Sequence, residues 1–216
     1  NRNQLLLPNH KNQLPLAVKY NSNSSSSSST SNTNSQKLQM YSNYSNSVTF
    51  SVRRYSGIKS SATLDKTTLT NSLLSARPTA LTVSQHTTGS SKLLIGTVLG
   101  DVLLVENANG FFPSWSQLDD NSLVGSISDI EFGQNENEIF VTMHNYGVNN
   151  VWYTNDGGAN WVQKDGNLPD LPVKAILQNP LNLEEVLIGT ELGVWYTNNF
   201  SSANPTWNQA YNGMSN

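Results

Sequence analysis

The chain has 216 residues, enough for one or two domains, and a formal net charge of −3 with no cysteine. Its cationic residues are scattered and Arg53-Arg54 is too small to form a patch, so no broad attraction for nucleic acid is expected. The absence of Cys excludes disulfides, thiolate nucleophiles and cysteine-based metal sites, and no apolar run approaches the roughly 18–20 residues that a membrane helix needs.

Residues 1–20 carry apolar groups (Leu5, Leu6, Leu7, Leu14, Leu16, Val18) broken by Pro8 and Pro15, which predicts a short strand or a docked tail. Residues 21–36 read NSNSSSSSSTSNTNSQ, a flexible linker with nothing to bury against the cost in chain entropy. Together, residues 1–47 are expected to be irregular. Val48-Thr49-Phe50-Ser51-Val52 then alternates apolar with polar, so 48–78 is read as strand from an incomplete structural unit, with 56–76 ambiguous.

From residue 79 the sequence repeats. Trp115, Trp161 and Trp207 are spaced by 46 and 46, and Leu81, Ile127 and Val173 keep the same spacing. Units of 79–126, 127–172 and 173–216 each predict four short strands: 80–83, 93–97, 102–105 and 115–118 in the first; 127–132, 139–142, 151–154 and 161–163 in the second; 173–177, 186–190, 194–197 and 207–210 in the third. Gly- and Asn-rich turns separate them, and no stretch sustains a helical period. The expected fold class is all-β, a partial propeller of four-stranded units.

The clearest loop signal is Thr154-Asn155-Asp156-Gly157-Gly158-Ala159-Asn160-Trp161. Asp156 is suited to accept N–H groups of its own turn, two glycines permit positive φ, and Trp161 is placed to pack over the loop. With Thr154, Asp156, Gly158 and Trp161 in place, the octet resembles the Asp box of β-propellers such as sialidases and sortilin-type receptors. In that family it sits on the hairpin between the third and fourth strands of a blade. The segments Glu106 to Trp115 and Asn198 to Trp207 read as degraded copies, expected to keep the hairpin and lose the Asp cap. Gly189-Thr190-Glu191-Leu192-Gly193-Val194-Trp195-Tyr196-Thr197, Gly166-Asn167-Leu168-Pro169 and Asn212-Gly213-Met214-Ser215-Asn216 resemble large secreted Bacteroidetes proteins of the type IX secretion kind. That resemblance implies a secreted or cell-surface location, a ring cut in mid-propeller at residue 216, and the remaining blades of a longer chain as partners.

Sialidase chemistry, as the resemblance implies it, takes three arginines from different blades to grip a carboxylate. Here Arg2, Arg53, Arg54 and Arg77 all precede the repeats, which disfavours it. A glycoside hydrolase with paired carboxylates is the alternative; Asp101, Asp119, Asp120, Asp129, Glu131, Asp165, Asp170 and Glu191 are its candidate acids. Asp129 lies on an inner strand, a position that faces the central channel if it serves a ligand. Glu184-Glu185 reads as a solvated pair. His10, His86 and His144 lack metal-ligand spacing, and no phosphate loop, dinucleotide fingerprint, nucleophile elbow or Ca²⁺ loop is present, so no metal or cofactor is expected.

Trp152-Tyr153 and Trp195-Tyr196 lie on third strands, where alternation sends one ring between blades and the other toward the surface. These four and Asp129 are the candidate ligand contacts, with glycan or cell-surface protein as the ligand class. The reading favoured over a hydrolase is a non-catalytic extracellular propeller segment, acting as scaffold or as adhesion and binding module.

Overall fold

The computed structural model of the chain describes residues 18–19, 38–39, 41–42, 50–56, 65–87, 89–119 and 121–210. The linker expected at 21–36 and the closing segment 212–216 lie outside them.

All described regular structure is β. Strands β1 (Val18–Lys19) and β2 (Leu38–Gln39) pair in parallel. Strands β3 (Tyr41–Ser42), β4 (Phe50–Ser56) and β5 (Asp65–Leu69) form an antiparallel N-terminal sheet. The stretch whose sequence is ambiguous thus contains β5, hairpin partner of β4.

Three four-stranded antiparallel sheets follow, each in simple chain order. Sheet I holds β6 (Pro78–Val83), β7 (Leu93–Thr97), β8 (Val102–Glu106) and β9 (Ser114–Gln117). Sheet II holds β10 (Ile127–Phe132), β11 (Ile139–Met143), β12 (Val151–Thr154) and β13 (Val162–Gln163). Sheet III holds β14 (Val173–Gln178), β15 (Val186–Thr190), β16 (Gly193–Thr197) and β17 (Asn208–Gln209).

The sheets stack face to face, and alternation along each strand supplies both faces. In β7, Leu93 and Ile95 pack toward Val52 and Leu69 of the N-terminal sheet, while Leu94 packs toward Ile130 and Val141 of sheet II. In β11, Ile139, Val141 and Met143 return that contact, and Phe140 turns the other way to meet Ile176, Ile188 and Trp207 of sheet III. This is why LLIGT and IFVTM read as unbroken buried runs rather than as polar-apolar alternation. Each large side chain so enclosed contributes about 1.5–3 kcal/mol.

The first strands β6, β10 and β14 lie against one another. Gly96 marks the closeness of sheets I and II, since a Cβ there would sit 2.5 Å from Cγ2 of Ile127. Sheets II and III are stapled by polar groups: Ser128 Oγ donates to the Val173 carbonyl at 2.5 Å, and the Ile176 N–H donates to Asp129 Oδ2 at 3.0 Å. The far face of sheet III is uncovered, with Leu177 66%, Leu187 41% and Tyr196 41% exposed.

The pairing register corrects one sequence expectation. Each first strand carries a β-bulge, placing Pro78, Ile127 and Val173 at one position and Leu81, Ile130 and Ile176 at another. Ile127 and Val173 are therefore equivalent, and Leu81 is not their counterpart. The turn after β6 (84–92) is three residues longer than the one after β10 (133–138), which shifts the first strand while leaving the Trp spacing intact. Trp115, Trp161 and Trp207 are equivalent: Trp115 pairs with Val105, and continuing the register by one residue from Tyr153–Val162 and Tyr196–Asn208 brings Trp161 and Trp207 to Thr154 and Thr197.

Candidate functional site

The loop between β12 and β13 is built on Thr154 and Asp156. Thr154 Oγ1 donates to Asp156 Oδ1 at 2.7 Å and accepts the Gly158 N–H at 3.1 Å. Asp156 accepts the Asn160 N–H on Oδ1 at 2.9 Å and the Asn160 side-chain amide on Oδ2 at 2.7 Å. Led by that amide, with Thr154 next, these bonds hold the exposed Asp156 carboxyl at about 2. Gly157 and Gly158 turn at φ 74° and 94°, and a Cβ on Gly158 would lie 2.7 Å from Cβ of Leu118 in the neighbouring sheet.

The third loop corrects the expectation that its cap is lost. Thr197 Oγ1 donates to Asn199 Oδ1 at 2.8 Å, which also accepts the Thr206 N–H at 2.9 Å. Thr206 precedes Trp207 as Asn160 precedes Trp161, so an amide does the work of the carboxylate across a longer loop. In the first loop Val105 has no hydroxyl, and the Asn107 amide turns to the Phe112 carbonyl at 3.4 Å; that cap is absent. All three loops share one main-chain bond to the turn between the first and second strands: Ala108 to Ser91, Gly157 to Asn137 and Phe200 to Glu184, at 2.8, 2.9 and 3.2 Å.

The tryptophans that follow join sheet to sheet. Trp161 Nε1 donates to the Leu118 carbonyl at 3.1 Å, and Trp207 Nε1 donates to the Lys164 carbonyl at 2.8 Å.

The acids at strand ends are tied to main chain. Asp119 accepts the Val102 N–H at 2.7 Å, and Asp165, one repeat later, accepts that of Asn150 at 2.7 Å. Asp129 takes its own neighbour Ile130 on Oδ1 and Ile176 on Oδ2, both at 3.0 Å. Burial raises the Asp129 carboxyl, and burial followed by the charge of Asp129 raises Glu131, which accepts Thr82 Oγ1 at 3.2 Å.

The aromatic pairs alternate. Trp152 faces sheet I and donates to the Asn149 carbonyl at 3.0 Å; Tyr153 faces sheet III and donates to Glu138 Oε1 at 3.0 Å. Trp195 faces sheet II, while Tyr196 lies on the uncovered face of sheet III.

At the opposite end of the sheets from these hairpin loops, the long β11–β12 loop (144–150) meets β14. Lys174 Nζ lies 2.7 Å from His144 Nδ1 and donates to Glu191 Oε1 at 2.9 Å, while Tyr146 Oη donates to Glu191 Oε2 at 2.8 Å. Lys174 and then Tyr146 depress the Glu191 carboxyl. The sequence shows His144 only as a histidine without metal-ligand spacing and gives no signal for Lys174; only the fold brings them together. Among the described residues no group of His, Cys, Asp and Glu could hold a metal ion.

A cleft of about 400 Å³ opens between sheets II and III at the hairpin end. Tyr153, Val162 and Lys164 line it from sheet II, and Gln178, Leu183, Glu184 and Phe200 from sheet III. Lys164 is 6% exposed, donates to the carbonyls of Phe200 at 3.0 Å and Ser202 at 2.7 Å, and lies 5.2 Å from the Phe200 ring centroid. Burial lowers its pKa. At the equivalent boundary of sheets I and II the residue is Leu118.

The class that this fold defines is an all-β repeat protein of stacked four-stranded antiparallel sheets. No family model and no curated protein matches the chain.

Proposed function

We propose that the chain is part of an Asp-box β-propeller that serves outside the cell as a scaffold and binding module for protein or glycan, rather than as an enzyme. The observation that carries this reading is Asp129: this acid of the inner strand β10 has both oxygens bonded to backbone N–H groups, and Glu131 on the same strand accepts Thr82 Oγ1. A general acid or nucleophile needs a carboxyl free to reach substrate. Asp119 and Asp165 serve main chain in the same way.

Three further features support the propeller. Successive sheets meet through their first strands. The Thr154–Asp156 loop and Trp161 have the bonding an Asp box needs to close a hairpin. Leu177, Leu187 and Tyr196 stand where Glu131, Phe140 and Tyr153 stand in sheet II, the face that sheet III covers, so further sheets of a longer chain are the natural partners. A secreted or cell-surface location, as in type IX cargo, belongs to the same proposal.

The test is an assay of the purified chain against chromogenic aryl glycosides, an aryl sialoside included. No turnover above buffer is expected. Turnover that disappears in Asp129→Asn or Glu131→Gln overturns the proposal.

A further inference from the structure

We infer that the cleft between sheets II and III is a binding site for a neutral sugar. The inference rests on the binding-module reading and gives it a place and a ligand class.

The lining of the cleft differs from the residues at the preceding boundary. Lys164 replaces the apolar residue found at the preceding boundary, and Phe200 stands in the third loop where Gly157 stands in the second. The third loop is also three residues longer between its strands, and Phe200 and Ser201 from it form one wall. A repeat that only had to stack would keep the smaller and drier version.

The lining is mixed in a way that selects a ligand class. Lys164 has three N–H donors, of which two are bonded to carbonyls. Glu184 is pinned by the Ser201 N–H at 3.0 Å and keeps acceptor capacity. Asn155, exposed at the mouth, offers an amide with both donor and acceptor. Val162 and Leu183, 47% and 44% exposed, supply apolar surface beside these groups. An anionic ligand would meet Glu184 and Glu138, and a cationic one would meet Lys164. A neutral molecule with many hydroxyls and a C–H face satisfies donors, acceptors and apolar wall together, and that is a pyranose. The volume lies within the range of small-ligand sites.

The experiment is a ¹⁵N–¹H titration of the chain with cellotriose, maltotriose and N-acetylchitotriose, with glucuronate as the charged comparison. At least one neutral sugar is expected to shift the amides of Asn155, Asn160 and Ser201. Lys164→Met should weaken that binding roughly tenfold through loss of a charged hydrogen bond. Asn155→Lys, which crowds the mouth from an exposed position, should abolish it, and Leu181→Ser, outside the cleft, should leave it unchanged. No response to any neutral sugar, or tighter binding of glucuronate, overturns the inference. Shifts confined to residues elsewhere also overturn it, yet leave the binding-module reading standing; hydrolysis of the sugar overturns that reading instead.

Discussion

The indole N–H of Trp207 donates to the carbonyl oxygen of Lys164 at 2.8 Å, 43 residues earlier in the chain, and Trp161 makes the same bond to Leu118 across the same separation. Each tryptophan therefore satisfies the strand end of the preceding sheet while its ring fills the boundary between the two. Trp207→Phe keeps most of the ring and removes the donor, so it should cost about 1–3 kcal/mol with the Lys164 carbonyl left buried. Trp207→Ala, at a residue 1% exposed, should cost about 3–5 kcal/mol. Urea unfolding of the two variants checks both values, and an unchanged midpoint in Trp207→Phe would mean that the hydrogen bond contributes nothing.

Asp156 sets an acid limit. Its folded pKa of about 2 lies below the ordinary 3.8, so the unfolded chain binds the proton more tightly. The stabilisation is complete above about 4 and is lost as the pH falls toward 2. Thermal unfolding across that window should show a shallower pH slope in Asp156→Asn than in the parent. An unchanged slope would remove Asp156 from the account. Asn199→Asp should introduce the same slope into the third loop, because Thr206 already donates to that position.

Lys164 acts at the alkaline end, with the opposite sense. Burial places its folded pKa below the ordinary 10.5, so the folded state releases the proton first and this group adds stability as the pH rises through its folded pKa toward 10.5. Lys164→Met should remove that contribution, which a comparison of urea midpoints at neutral pH and near pH 10 would show as a smaller rise or a steeper fall in the variant than in the parent. A parent-minus-variant difference that does not grow with pH would contradict the assignment.

Asp129 is predicted to be a staple. Asp129→Ala orphans the Ile176 N–H between sheets II and III and should cost about 1–3 kcal/mol. Asp129→Asn keeps one acceptor and should cost less. Hydrogen exchange at Ile176 gives the local readout, and unaltered protection there in Asp129→Ala would sink the prediction.

The two faces of sheet III should respond differently to truncation. Ile188, 1% exposed and packed on sheet II, should cost about 2–5 kcal/mol as Ile188→Ala. Its neighbour Leu187 points to the uncovered side, and Leu187→Ser should fall within about 0.5 kcal/mol of the parent. Similar losses at both positions would mean that Leu187 is covered in solution.

Much of the fold was legible because the strands are short and strongly apolar; 93–97, 127–132, 151–154 and 186–190 match the observed bounds. The Trp spacing was legible for a subtler reason. From Gly96, Thr142 and Gly189 to their partners Val102, Val151 and Val194 the chain advances 6, 9 and 5 residues, and from Val105, Thr154 and Thr197 to the tryptophan 10, 7 and 10, so the gains and losses nearly cancel by the time each tryptophan is reached. The second marker misled because a longer turn after β6 moved Leu81 into numerical step with Ile127 without moving it into structural step. Asn199 was missed because the sequence pattern asks for Asp, whereas the turn asks only for an acceptor two residues after a hydroxyl. The Lys164 cleft was not legible, since its walls come from loops whose meeting depends on how two sheets stack.

The lock between neighbouring sheets also sets an order of events. The carbonyl of Leu118 waits for Trp161 and that of Lys164 for Trp207, so a sheet emerging during synthesis is left with an unmade bond until 43 further residues have followed. Each sheet is finished by the one made after it, and the stack matures from the N-terminal side with a lag of one repeat.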